Sequence, residues 1–179
     1  SAVFVQAQEH MEFKGIPISG HIDSFVAKLE SSGFKKKTVN LNDNACVLTG
    51  QFVGKACEVF VICSPKTKQV WKVAVFLPKS SGWHSIKGDY NSFKTQFTTK
   101  YGNPTNSFEF FSKPYYEGDG YEMTAIKVDK CNYMSFWTMA QGTISVAIGT
   151  TASIIFAYED EINRKLKSVE EKSKIQDDI

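Results

Sequence analysis

The sequence predicts an α+β fold: a mostly antiparallel sheet with two helices packed on one face, a degenerate duplication of a helix-then-strands unit, and a charged C-terminal helix. Three observations carry that prediction. Ala45 to Pro78 reads as a meander of three strands, dense in β-branched and aromatic residues and broken only by turn chemistry. Two internal stretches repeat their apolar residues at three- and four-residue steps, the signature of a helix with one buried face. The third observation is one of order. Asp23-Ser24-Phe25, three residues and Leu29 recur 68 residues later as Asn91-Ser92-Phe93, three residues and Phe97, each followed by glycine and then by strands.

Taken in chain order, Val5-Gln6-Ala7 fits the small-x-small pattern at the end of a secretory signal, with Gln8 as the mature start; the alternative is a short strand over Val3 to Gln6. Residues 1–10 are therefore set apart as a signal remnant or flexible N-terminus, and 11–179 form one α+β domain with halves 11–79 and 80–158 and a tail helix over 159–179. Met11 to Ile18 is a short strand or extended lead-in. Ser19 caps a first helix whose Ile22, Phe25, Val26 and Leu29 make one stripe, and Gly33 ends it. Phe34 to Val39 follows as an edge strand, its Lys35-Lys36-Lys37 run a solvated guard against edge pairing. Asn40 to Asn44 is a turn.

Within the meander, a hairpin loop at Gly54-Lys55 sets Cys46 opposite Cys63, and alternation puts both on the core face with Leu48, Val59 and Val61. Such a pair can form a cross-strand disulfide in an oxidising compartment, with two neighbouring reduced thiols the preferred state. The second helix carries Trp83, Ile86, Tyr90, Phe93, Phe97 and Tyr101 on one face and stops at Gly102. Strands are predicted over Asn106–Ser112, Gly120–Val128, Cys131–Met139, Thr143–Gly149 and Ala152–Tyr158. The tail helix has a narrow stripe of Ile162, Leu166 and Val169, and is expected to fray beyond Lys172.

Composition excludes some function classes. The chain is 179 residues with 42% hydrophobic content and a formal charge of +2, enough for a core and too mild a charge for a nucleic-acid footprint. No apolar run is long enough for a transmembrane segment. His10, His21 and His84 have no second ligand at metal spacing, and no phosphate loop, GxSxG or HExxH occurs. No catalytic, cofactor-binding or metal residue is predicted. Two helices with single stripes cover one face of a sheet, so the opposite face is expected to carry Thr49, Gln51, Glu58 and Phe60 with Thr124, Ser135 and Trp137. On it Trp137 and Phe60, with Tyr115 and Tyr116 at the rim, are the candidate contact residues.

The stretches MEFKGIPI, HIDSFVAKLESSGF, LTGQFVGKACEVFV, VWKVAVFLP and SFKTQFTTKYGNP resemble a group of uncharacterised exported proteins of Bacteroides-type bacteria. The order of helix and meander also looks like the tandem layout of the β-lactamase inhibitor protein fold. The resemblance implies a binding module with a sheet surface and assigns no functional residue. The expectation is thus an exported, non-catalytic interaction domain, periplasmic or envelope-associated, whose partner is a protein or an envelope ligand. The rival expectations are a hydrolase-type enzyme with a site assembled from dispersed residues and an envelope structural protein.

Overall fold

A computed structural model describes residues 9–39 and 42–179. The processing pattern at Val5-Gln6-Ala7 and the turn residues Asn40 and Leu41 lie outside them. Strands β1 (Glu12–Phe13) and β2 (Ile16–Pro17) form a small hairpin before helix α1 (Ile22–Ser31). Then come β3 (Lys35–Lys36), β4 (Ala45–Phe52), β5 (Lys55–Cys63), β6 (Val70–Phe76), helix α2 (Trp83–Tyr101) and β7 (Asn106–Phe111). The chain closes with α3 (Glu122–Lys127), β8 (Cys131–Met139), β9 (Gly142–Ile148), β10 (Ile154–Asp160) and α4 (Glu161–Asp178).

Eight strands make one antiparallel sheet in the order β3-β4-β5-β6-β10-β9-β8-β7. Each half is thus a helix followed by a four-strand meander, and the last strands of the two halves, β6 and β10, pair at the centre. The α+β class and its antiparallel sheet stand as the sequence implies. α1 and α2 lie on one face, over a core in which Leu29, Leu48, Val59, Val75, Ile144 and Phe156 are fully buried. Phe13 of the β1–β2 hairpin fills the centre of this face, its ring 5.3 Å from Tyr158 and 5.5 Å from Phe52. Rings from α2 finish the layer, Phe93 at 5.0 Å and Phe97 at 5.6 Å from Phe156.

The β4–β5 register differs from the expected one. The loop is Val53-Gly54, both at positive φ (49° and 75°), the conformation of the favoured two-residue hairpin turn. Cys46 therefore faces Val61 and Cys57 faces Gly50, and Cys63 pairs with Val70 of β6. Moving a partner by two residues preserves the faces, so Leu48, Val59 and Val61 still point to the core. The direct opposition of Cys46 and Cys63 is lost, and all four cysteines are free.

Three further differences have local causes. Glu122–Lys127, expected as a strand, is a helix: the Asp119 carboxylate accepts from Tyr121 N at 2.7 Å and Tyr116 N at 3.0 Å, turning the chain, and Ala125 and Ile126 supply its buried side. His21 rather than Ser19 caps α1, accepting from Asp23 N. α4 runs past Lys172 to Asp178 because its gripping face is polar. Glu170 is buried and Lys66 reaches both Ser173 Oγ (2.8 Å) and Asp177 Oδ2 (2.5 Å), whereas Val169 of the expected apolar stripe is 64% exposed.

Candidate functional site

Trp137, expected on the open face, is 2% exposed and belongs to the core. Its ring lies 5.5 Å from Phe97 of α2 and its indole N–H donates to Gly102 O at 2.8 Å. Ser135 is buried beside it, 2.6 Å from the Tyr90 hydroxyl, and Thr124 sits in α3. The inward side of β8 is Cys131, Tyr133, Ser135, Trp137 and Met139 and the outward side Asn132, Met134, Phe136 and Thr138, so alternation along the strand itself agrees with the observed orientation. The buried polar tips each find a partner, Tyr133 on Glu117, Ser135 on Tyr90 and Trp137 on Gly102.

Phe60 keeps its expected place. With Thr49, Gln51 and Glu58 it lies on the face without α1 and α2, and its ring packs 5.0 Å from Phe76. Strand pairing extends that face in rows. One row reads Phe60, Ala74, Ala157, Ser145, Phe136 across β5, β6, β10, β9 and β8. The next reads Phe76, Ile155, Ala147, Met134, Phe108 across β6 to β7. Small side chains therefore floor the middle of the face and phenylalanines stand on both flanks. Phe60 and Phe136 are four strand intervals apart, about 19 Å, which leaves a trough wider than the ~10–12 Å of an α-helix with its side chains. At its β5 side a recess of about 560 Å³ opens between Phe60, Phe76, Leu77 and Pro78.

The trough has few charges. Lys37 meets Glu58 at 2.6 Å at one border, and Lys72 meets Glu159 at 2.8 Å towards α4. α4 holds only one end of the sheet, with Lys167 Nζ 4.8 Å from the centre of the Trp71 ring and Asn163 Nδ2 donating to Val70 O at 2.8 Å. Tyr115 and Tyr116 are not brought to Phe60. Their loop follows β7 at the far edge, five strand intervals from β5, and Glu117 ties it to the helix face through Trp83, Lys87 and Tyr133.

The other concavity is a cleft of about 840 Å³ between the β1–β2 hairpin and the end of α2, walled by Phe97, Tyr101, Met139 and Tyr158. At its margin His10 Nδ1 is 3.0 Å from Asp160 Oδ2, an oriented imidazole. Its lining holds no Ser or Thr hydroxyl and no Cys thiol beside the pair. Asp160 also caps α4 through Asn163 N (2.9 Å) and accepts from Met11 N (2.8 Å), which makes it a structural anchor. Burial raises the four thiols, Cys131 to about 12, which favours their protonated form at neutral pH. Among the described residues no group of three or more His, Cys, Asp or Glu side chains is placed to hold a metal, and no helix is long and apolar enough to cross a membrane. Comparison with protein-family models, with curated proteins and with solved structures returns no match to the chain.

Proposed function

We propose that the protein is a non-catalytic binding domain that takes a protruding helix or loop of a partner protein into the trough on its outer sheet face. The observation that carries this reading is the row Phe60, Ala74, Ala157, Ser145, Phe136. A small-residue floor between aromatic flanks, low in charge and left open by every helix but the end of α4, fits a convex apolar segment, and a broad shallow surface fits a protein better than a small molecule. Aromatic side chains in such positions supply most of the binding energy in protein interfaces. Its export rests on the Val5-Gln6-Ala7 pattern, and the helix-then-meander order is the basis for proposing a duplicated unit like the tandem inhibitor layout.

The test is capture from a native envelope extract with three baits: the wild type, a Phe60→Ala/Phe136→Ala variant, and Tyr116→Ala as a control on the far loop. A species retained by wild type and control and lost by at least about tenfold with the double variant supports the trough, since roughly 1.4 kcal/mol is tenfold in affinity. Equal capture by all three refutes it.

A further inference from the structure

The two edges of the sheet are built differently. β3 is the two residues Lys35 and Lys36, continued by one bond from Lys37 N to Val47 O at 2.8 Å, a short lysine-built edge of the kind that resists pairing. β7, at the other edge, pairs with β8 over all six of its residues, Asn106 to Phe111. It contains no lysine, proline or bulge, and Asn106 to Phe110 are all exposed. Phe108 and Phe110 are 44% and 50% exposed and stand on the same outer face as the trough.

The hydrogen-bond phase of β7 is fixed by the bond from Ser112 N to Lys130 O at 2.8 Å. Antiparallel pairs alternate, so residues 106, 108 and 110 bond inward to β8, and 107, 109 and 111 turn their N–H and C=O groups out to the edge. The outward N–H of Ser107 is met by its own neighbour, Asn106 Oδ1, at 2.8 Å. An open six-residue strand rich in phenylalanine is a template for another strand.

We propose that β7 pairs with β7 of a second copy of this chain, antiparallel about a twofold axis at Phe108, to make a continuous sixteen-stranded sheet. Alternation lets any residue of β7 serve as the centre, keeping the outer faces together and joining outward-facing backbone groups, and of these Phe108 and Glu109 pair the greatest length of the strand. A centre at Glu109 sets two carboxylates directly opposite each other, which is unfavourable. The centre at Phe108 sets Phe108 against its own copy and Ser107 against Glu109 of the partner copy, while each Glu109 keeps Lys94. It forms four new backbone hydrogen bonds, between Ser107 and Glu109 in both directions, and it joins the aromatic flank Phe108–Phe136 (6.3 Å) to its copy. A second copy is the fitting occupant because the other edge of the eight-stranded sheet is too short and too cationic to accept β7, so pairing closes as a dimer instead of growing as a filament.

Sedimentation velocity on the full chain, from about 1 µM to about 500 µM, is the first measurement; a small edge interface predicts a reversible, concentration-dependent dimer. Phe108→Lys opposes two ammonium groups at the axis and Ser107→Pro deletes an outward N–H while sparing the bonds to β8, so both are expected to be monomeric with an unchanged circular dichroism spectrum. Phe108→Cys supplies the register. A non-hydrogen-bonded antiparallel pair brings Cβ atoms within disulfide range, so this variant forms a covalent dimer under mild oxidation and Phe110→Cys does not. A monomer at every concentration, a dimer that survives both Phe108→Lys and Ser107→Pro, or cross-linking through Phe110→Cys instead overturns the proposal. None of these readouts involves the trough partner, so the dimer fails or stands independently of the binding reading.

Discussion

Asp160 to Ala is the substitution expected to cost this fold most for the fewest atoms removed. Its side chain is fully buried at the junction of β10, α4 and the β1–β2 hairpin. Oδ2 accepts from Asn163 N at 2.9 Å, capping α4, and Oδ1 accepts from Met11 N at 2.8 Å, holding the chain that leads into the hairpin. Losing an N-cap of this type costs about 0.5–2 kcal/mol. Leaving the Met11 N–H buried without an acceptor adds about 1–3 kcal/mol. The sum is about 1.5–5 kcal/mol, and for a chain of this size each kcal/mol moves Tm by roughly 2–4 °C, so a fall of about 3–20 °C is expected. Asn at the same position retains one oxygen and should lose about half as much. His10→Ala removes only the partly exposed contact at 3.0 Å and should cost less than about 1 kcal/mol. Urea and thermal unfolding followed by circular dichroism give all three values. A loss below about 1 kcal/mol for Asp160→Ala, or a loss for His10→Ala as large as for Asp160→Ala, would refute the anchor argument.

Two other perturbations read separate parts of the structure. Burial pushes the Glu170 carboxyl up, but bonds from the Thr67 hydroxyl and from Lys66 N (2.9 Å) and Thr67 N (3.2 Å) outweigh it and hold the group below its ordinary value. A depressed folded pKa gives stability that is present above the ordinary value and lost as pH falls from there through the folded one. Urea midpoints measured from pH 6 down to about pH 3 should therefore fall more steeply for the wild type than for Glu170→Gln, and parallel curves would refute the assignment. For the cysteines, alkylation in denaturant without reductant should modify four thiols, while native protein at neutral pH reacts first at Cys46, the half-buried one. Recovery of a Cys46–Cys63 disulfide would mean that the β4–β5 register differs from Cys46 facing Val61.

The sequence was most legible where side-chain period and turn chemistry act together. Both long helices, seven of the eight sheet strands and the core face of β4 and β5 follow from spacing, from the stops at Gly33 and Gly102, and from alternation. β3, expected over Phe34–Val39, pairs at Lys35 and Lys36, with one more bond to β4 from Lys37 N to Val47 O at 2.8 Å. Legibility ends where polar partners decide. The Asp119 carboxylate turns a segment with strand-like composition into α3, and Ser135 is accommodated on the inward side of β8 because the Tyr90 hydroxyl meets it there. α4 was read by its apolar residues, yet it is held by Asn163 and Glu170. Phe60 was placed correctly because its neighbours on β4 and β5 alternate cleanly. Phe136, its counterpart in the trough, is legible from the alternation of Asn132, Met134, Phe136 and Thr138 with Cys131, Tyr133, Ser135, Trp137 and Met139, the more apolar set, which faces the core.

The open face follows from topology before it follows from composition. Each half runs from helix to meander, and the halves meet through antiparallel β6 and β10, as Val75 opposite Phe156 and Val73 opposite Tyr158 show. A twofold relation normal to the sheet keeps both helices on the same side, so no choice of residues within this order can put one helix on each face. Eight strands span about 34–38 Å. Two helices of about 10 Å each leave a gap between them on their own side, and Phe13 of the hairpin fills it. On the other side, among the described residues, α4 is the helix that remains, fastened to one end by ion pairs and hydrogen bonds. No described helix is left to bury Phe60, Phe76, Met134 and Phe136. Had solubility alone shaped that face, the alternate positions of β5, β6 and β8 would be free to carry charges as Glu58 and Lys72 do. Their phenylalanines stand in register on both sides of an alanine and serine floor, the arrangement on which the proposed partner site rests.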